Sequence, residues 1–197
     1  MPVTRFSHLL GEAVLAASGP GRRVLDMGTG SGVNAVLAAS RGAEVVALDI
    51  NPRAVAAASA NLERHGLAGR ASVRQGDVFE GIEGEFDLVV FDPPFRWFAP
   101  RDDLEAAMTD EGYGAMTRFF RQARAHLAPG GSMLIFFGTS GDLGYLRRLW
   151  EEEGFAAEVL AHQEYVREGE TVGYFTFRVT AGPAARAPGG RAGPSPP

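Results

Sequence analysis

From Phe6 to Ala17 the apolar residues Phe6, Leu9, Leu10, Ala13, Val14 and Ala17 recur at helical spacing, which predicts an amphipathic helix at the start of the chain. The period then changes. Val24-Leu25-Asp26-Met27 is a short apolar run bounded by glycines and predicts a buried strand. A helical stretch from Val33 to Ser40, a strand from Glu44 to Asp49 and a helix from Pro52 to His65 follow. Further strands are predicted at Arg70 to Gln75, Phe86 to Phe91 and Ser132 to Phe137, with helices at Gly114 to Leu127 and Leu143 to Glu153. Two β-rich runs, Ala156 to Tyr165 and Val172 to Val179, are split by the turn-like Arg167-Glu168-Gly169-Glu170 and predict an antiparallel pair.

Seven strands alternating mostly with helices specify an α/β fold. Parallel neighbours need helical crossovers, so the expected architecture is a Rossmann-like, doubly wound, mostly parallel sheet with an antiparallel C-terminal pair. Ligands of such sheets bind at the carboxyl ends of the strands. Residues 181–197 are rich in Pro, Gly and Ala and hold no large apolar residue, so the expectation is one domain over 1–180 and a disordered tail beyond it.

Composition narrows the chemistry. Hydrophobic residues make up 45% of the 197, charged residues 22%, and no apolar run approaches the ~20 residues of a membrane span. The absence of cysteine excludes disulfides, thiolate metal sites and cysteine nucleophiles together. The N-terminus lacks the long apolar core and cleavage site of a secretory signal, so a cytoplasmic location is expected. A formal charge of −5, with arginine supplying all 19 basic residues, gives no general attraction to nucleic-acid phosphates.

The first strand runs into VLDMGTGSG, which places Gly28, Gly30 and Gly32 on a strand-to-helix turn. Glycines there let backbone N–H groups approach a ligand, and the helix start beyond presents the positive end of its dipole. Asp49 ends the second strand, 19 positions after Gly30, where a carboxylate can accept from both hydroxyls of a ribose. Asp77 follows the third strand and can accept from an adenine amine with Val78 beside the ring. Asp26 and Thr29 within the turn, and Ile50 next to Asp49, complete the candidate nucleoside-binding set. A nicotinamide cofactor is the rival, but its fingerprint is GxGxxG, and Val33 stands where the last glycine would be.

Phe86 to Phe95 reads FDLVVFDPPF, an apolar strand that stops at two prolines. The Asp92 carboxylate and the Pro93 carbonyl can both accept hydrogen bonds from one NH2 group and so aim its lone pair. Pro94 stiffens the exit, and Phe95 can stack on a flat amide or heteroaromatic ring. An oxygen-directed enzyme would want a general base or metal beside the hydroxyl, and neither is evident. His8, His65, His126 and His162 have no metal-ligand spacing, so no metal site is expected.

Taken together, VLDMGTGSG, Asp49, Gln75 to Phe79, FDLVVFDPPF and Leu127-Ala128-Pro129-Gly130-Gly131 resemble the class I S-adenosylmethionine-dependent methyltransferases over about residues 20 to 140. The resemblance implies that the glycine turn binds the methionine part of that cofactor, Asp49 the ribose and Asp77 the adenine. The tetrapeptide Asp92-Pro93-Pro94-Phe95 resembles the (Asp/Asn)-Pro-Pro-(Tyr/Phe) of the branch that methylates amide or exocyclic amine nitrogens, with release-factor glutamine and small-ribosomal-RNA-type enzymes most alike. Release-factor enzymes carry a helical N-terminal domain and usually Asn-Pro-Pro-Tyr, and this sequence departs from both. The implied acceptor is a protein glutamine, a nucleic-acid base or a small-molecule amine. A small-molecule or peptide methyltransferase acting on another atom, or a non-catalytic nucleoside-binding module, are the alternatives. Trp97 is either an acceptor contact or a lid over the core. Arg118, Arg121 and Arg124 share a helical face, expected to be solvated unless it meets an anionic acceptor.

Overall fold

The computed structural model describes residues 7–99, 109–167 and 169–182. The elements run α1 (Ser7–Ala17), β1 (Arg23–Met27), α2 (Val33–Ser40), β2 (Glu44–Asp49), α3 (Pro52–Arg64), β3 (Ala71–Gln75) and β4 (Phe86–Phe91). They continue with α4 (Gly114–Ala123), β5 (Leu127–Gly138), α5 (Leu143–Glu152), β6 (Phe155–Arg167) and β7 (Glu170–Ala181). One seven-stranded sheet has the order β3-β2-β1-β4-β5-β7-β6. The first five strands in that order are parallel neighbours, and β7 lies antiparallel to both β5 and β6. This is the doubly wound sheet expected from the strand and helix alternation.

The central strands β1, β2, β4 and the second half of β5 are largely apolar because both faces of the sheet are covered there. Alternate residues divide cleanly between two cores. Val24, Val45, Ala47, Leu88, Val90, Leu134 and Phe136 pack with α1 and α2, together with Leu62 of α3. Leu25, Met27, Leu48, Val89, Phe91, Met133, Ile135 and Phe137 pack with α4 and α5. Between β3 and β4 no helix intervenes. The segment instead buries Val78, Phe79 and Ile82 in the α4–α5 core.

Local chemistry sets several element ends. Pro52 opens α3, and the Asn51 side chain accepts from the Arg53 N–H, which satisfies an orphan donor of the first turn. The helix expected to reach Leu127 stops at Ala123, and a single 3₁₀ turn over Arg124–His126 leads into β5. Pairing overrides helix propensity there, because Leu127 lies opposite Phe86. The Pro129-Gly130-Gly131 turn is absorbed into β5 as an irregularity in its register with β4. Gly130 takes φ 78°, and a Cβ at Gly131 would lie 2.8 Å from the Phe86 carbonyl oxygen. At the far end, Ala181 closes β7 opposite Phe155 and the Gly182 N–H donates to Gly154 O. The rest of the expected tail, with Phe6 and Glu168, lies outside the described residues.

Phe119 is fully buried on α4 with ring contacts to Phe79, Phe91 and Phe120, so Phe119→Ala is expected to lower unfolding free energy by about 3–5 kcal/mol. Gln122→Ala on the exposed side of the same helix should stay within about 0.5 kcal/mol. Urea titration of the two variants measures the contrast.

Candidate active site at the carboxyl ends of β1, β2 and β4

The strand order reverses between β1 and β4, both hydrogen-bonded in parallel with Met27 opposite Phe91. The glycine turn and Asp92 therefore leave the sheet side by side. Gly28, Gly30 and Gly32 all adopt positive φ. Their surroundings differ. A Cβ on Gly28 would meet nothing nearer than Phe91 Cε2 at 3.8 Å, and one on Gly30 nothing nearer than the Gly28 carbonyl oxygen at 4.0 Å. A Cβ on Gly32 would sit 2.9 Å from Ala58 Cα, so that glycine is required by the packing of α2 on α3. The first two open onto space beside the strand ends.

Asp26 underlies this turn. It is buried, and its Oδ2 accepts from the Thr29 hydroxyl at 2.5 Å and from the Ala35 N–H at 3.1 Å. Desolvation pushes its pKa up to about 6 against the lowering effect of those donors. Thr29 also donates its N–H to Leu48 O on β2. Asp26 and Thr29 thus brace the turn from inside the protein. Asp49 is half-buried and accepts from the Gly30 N–H and the Asn51 N–H, each at 2.9 Å, which fixes its carboxylate beside the glycines. Ile50 is 64% exposed next to it.

Asp77 accepts from Arg118 Nη2 at 2.9 and 2.7 Å, in an ion pair that stays open to solvent. Val78 takes φ 53°, unusual for a β-branched residue, and turns its side chain into the core. The other arginines of α4's end also contact their own chain. Arg121 lies 4.0 Å from Glu153, and Arg124 donates to the carbonyls of Glu153 and Gly154 while covering the Phe155 ring.

Asp92 is partly exposed at the mouth of the sheet, and among the described residues no donor reaches its carboxylate. Desolvation first, and then the nearby charge of Asp26, push its pKa up to about 7. Pro93 is buried, and Pro94 and Phe95 are half-buried. The Phe95 ring lies against Phe137, Phe136 and Tyr174 at centroid distances of 5.0, 5.9 and 6.0 Å. Trp97 and Phe98 are exposed beyond it. The Asp110 N–H donates to Arg96 O and the Gly112 N–H to Trp97 O, which holds the two flanking stretches together.

Two residues beside this exit carry no prediction from the sequence. Asp110 is buried and accepts from the N–H groups of Ala115 and Met116, capping α4. An Asp ahead of an amphipathic helix is a readable capping signal. Tyr113 donates its hydroxyl to Phe95 O, 18 positions away, and no local pattern announces that. Among the described residues no group of three or more His, Asp or Glu side chains converges as a metal site, and no helix is long and apolar enough to cross a membrane.

A family model described as the methyltransferase small domain matches residues 5–166. The chain belongs to that family. It is 36% identical over 135 residues to ribosomal RNA small subunit methyltransferase C of Chromohalobacter salexigens, covering 68% of this chain and 36% of the relative. It is 44% identical over 116 residues to the ribosomal protein L11 methyltransferase of Pelotomaculum thermopropionicum, covering 58% and 32%. A release factor glutamine methyltransferase of Cereibacter sphaeroides is 34% identical over 144 residues, covering 66% and 50%. The chain therefore spans between about a third and a half of the length of these curated relatives. Among solved structures, the ribosomal protein L11 methylase of Lactobacillus delbrueckii subsp. bulgaricus shares the fold with a TM-score of 0.67 at 20% identity, over 91% of this chain and 80% of its own. These likenesses agree with the resemblance read from the motifs.

The raised Asp92 pKa has a definite sign. The folded protein binds this proton more tightly than the unfolded chain, so its contribution to stability is full below pH 4 and is lost as pH rises through about 7. Asp92→Asn removes this partly desolvated charge. Its Tm is expected to exceed that of the parent protein at pH 8 by several degrees, at about 2–4 °C per kcal/mol. The advantage should shrink steadily toward pH 4.5, as followed by thermal melts across that range.

Proposed function

We propose that this family member is an S-adenosylmethionine-dependent methyltransferase acting on an amide or amine nitrogen. The observation that carries the reading is the pairing of β1 with β4, which sets Asp92 and Pro93 beside the open glycine turn. The cofactor reading is supported by the space above Gly28 and Gly30, which a side chain would fill, and by Asp49 anchored to Gly30. A protein related in fold, SMU.776, was solved complexed with SAH, with a TM-score of 0.66 at 19% identity over 87% of this chain and 49% of its own.

Gly28 and Gly30 would lie against the methionine part, Asp49 would take the ribose hydroxyls, and Ile50 and Asp77 would flank the adenine. Asp26, Thr29 and Gly32 hold the turn in shape, and Val78 shapes the Asp77 corner from beneath. S-adenosylmethionine supplies a methyl group already activated on a positively charged sulfonium. Positioning then accounts for much of the rate. The Asp92 carboxylate and the Pro93 carbonyl accept the two hydrogens of the acceptor NH2, directing its lone pair toward the glycine turn. As the nitrogen gains carbon it loses one proton, and Asp92, with a pKa near neutrality, receives it on a carboxylate oxygen. Pro94 stiffens the exit and Phe95 bounds the acceptor side.

Acceptor candidates follow from the relatives: ribosomal RNA, ribosomal protein L11 and release-factor glutamine stand in their names. Incubation with labelled S-adenosylmethionine, ribosomal subunits, release factor and a small-amine panel, followed by mass spectrometry, identifies the acceptor. Asp92→Ala is expected to reduce transfer by about 10²-fold or more. Unchanged transfer would remove Asp92 from the mechanism.

Desolvation holds both Asp26 and Asp92 above the usual carboxylate range, so a cationic ligand should bind more tightly as they lose protons. Calorimetry between pH 5.5 and 8 is expected to show affinity for S-adenosylmethionine rising with pH more steeply than for its uncharged-sulfur product. No binding of either compound at high micromolar concentration refutes the assignment.

A further inference from the structure

We infer that Tyr113 is a positioning residue for the acceptor-binding exit of β4, a role that rests on the methyltransferase reading above. The need for such a residue follows from the sequence of the exit. Pro93 and Pro94 have no N–H groups, so this stretch cannot be tied down by backbone donors of its own. Asp92 accepts from no donor among the described residues, so the course of its backbone decides where its carboxylate sits. The first fixed point beyond the prolines is the Phe95 carbonyl, which accepts from the Tyr113 hydroxyl at 2.9 Å.

That same phenol oxygen accepts the N–H of Asp142 at 2.8 Å. Asp142 begins the turn into α5 and caps it through the Tyr145 N–H. One hydroxyl on a buried ring therefore joins the exit of β4 to the exit of β5, and its loss takes this donor from the half-buried Phe95 carbonyl and this acceptor from the Asp142 N–H. The Tyr113 backbone takes φ 55°, following Gly112 at φ 60°, and this left-handed pair turns the ring toward Phe95. A non-glycine residue held there is uncommon and persists when its surroundings over-determine it. The ring stacks on Tyr145 at 5.1 Å, and the Thr117 hydroxyl donates to Tyr113 O at 2.7 Å.

The backbone of the β5 exit also closes on Phe95. A Cβ on Gly141 would lie 2.6 Å from the Phe137 ring and 2.8 Å from the Phe95 carbonyl oxygen, and one on Gly138 would lie 2.9 Å from the Tyr174 ring and 3.2 Å from Phe95 Cε2. Phe95 is thus clasped by the Tyr113 hydroxyl and two glycines of the β5 exit. Asp92 and Pro93 take their positions from that clasp.

Tyr113→Phe removes the hydroxyl and keeps the ring. The decisive readout is the carboxyl titration of Asp92 followed by carbon-13 NMR, because a loosened exit admits water to that group. In Tyr113→Phe the Asp92 midpoint is expected to fall from its raised value by about half a unit or more. Hydrogen exchange at Asp142 and residues 95–98 should accelerate by about tenfold or more, with β1 and α2 unaffected. Tyr145→Phe keeps the Phe95 bond and should leave the Asp92 midpoint unchanged. An unshifted midpoint in Tyr113→Phe, or an equal shift in Tyr145→Phe, overturns the inference. Should Tyr113→Phe fail to fold, Gly141→Ala crowds the same carbonyl together with the Phe137 ring on which Phe95 packs, with Tyr113 intact, and an unshifted Asp92 there overturns it equally. Calorimetric binding of S-adenosylmethionine to the unaltered protein reports separately on the methyltransferase reading.

Discussion

Hydrogen bonding of β1 to β2 on one side and β4 on the other, all in parallel, is the constraint on which the site depends. Parallel pairing sends the three strands out of the sheet at the same edge, so the glycine turn, Asp49 and Asp92 emerge together although they are separated by up to 64 positions in sequence. Reversal of strand order at β1 and β4 keeps any helix from filling the space between their ends, the general reason ligands bind at such switch points. Cross-links then hold the edge in register: Thr29 donates its N–H to Leu48, Gly30 to Asp49 and Gly76 to the Asp49 carbonyl.

Two carboxyl groups at that edge are tuned differently by the same surroundings. Asp26 is desolvated but receives a hydroxyl and a backbone donor, so part of the cost of its charge is offset. Asp92 has no such donors among the described residues and also feels the charge of Asp26, and its pKa rises further. The arrangement leaves an acid in need of hydrogen-bond donors and positive charge at the mouth of the sheet. An NH2 group and a sulfonium meet that need in the proposed reaction.

The glycines and aromatics near the exit of β4 divide the work of shape. Gly32 lets α2 approach α3, and Gly138 and Gly141 let the β5 exit approach Phe95, while Gly28 and Gly30 face open space. Phe95 has its ring against three aromatic neighbours and its carbonyl on Tyr113. The side chain expected to stack on an acceptor is therefore also part of the core, and its position is transmitted to Asp92 through two stiff prolines.

The sequence by itself determined the order and nature of most elements, the doubly wound sheet and the strand ends at which the candidate site lies. Those features rest on short-range causes: hydrophobic period, glycine at positive φ, proline at a strand end. Val33–Ser40, Glu44–Asp49 and Phe86–Phe91 have the bounds their patterns predict for this reason. Only the tertiary structure decided what depends on distant partners. Leu127 left its helix for β5 because Phe86 was there to pair with it, and Gly32 became a packing residue because Ala58 lies over it. Arg118 closed on Asp77 from another element, and Tyr113 reached Phe95 and Asp142 at once. None of these partners lies within the reach of a local pattern, and a hydrogen bond between remote groups exists only after the sheet has brought them together.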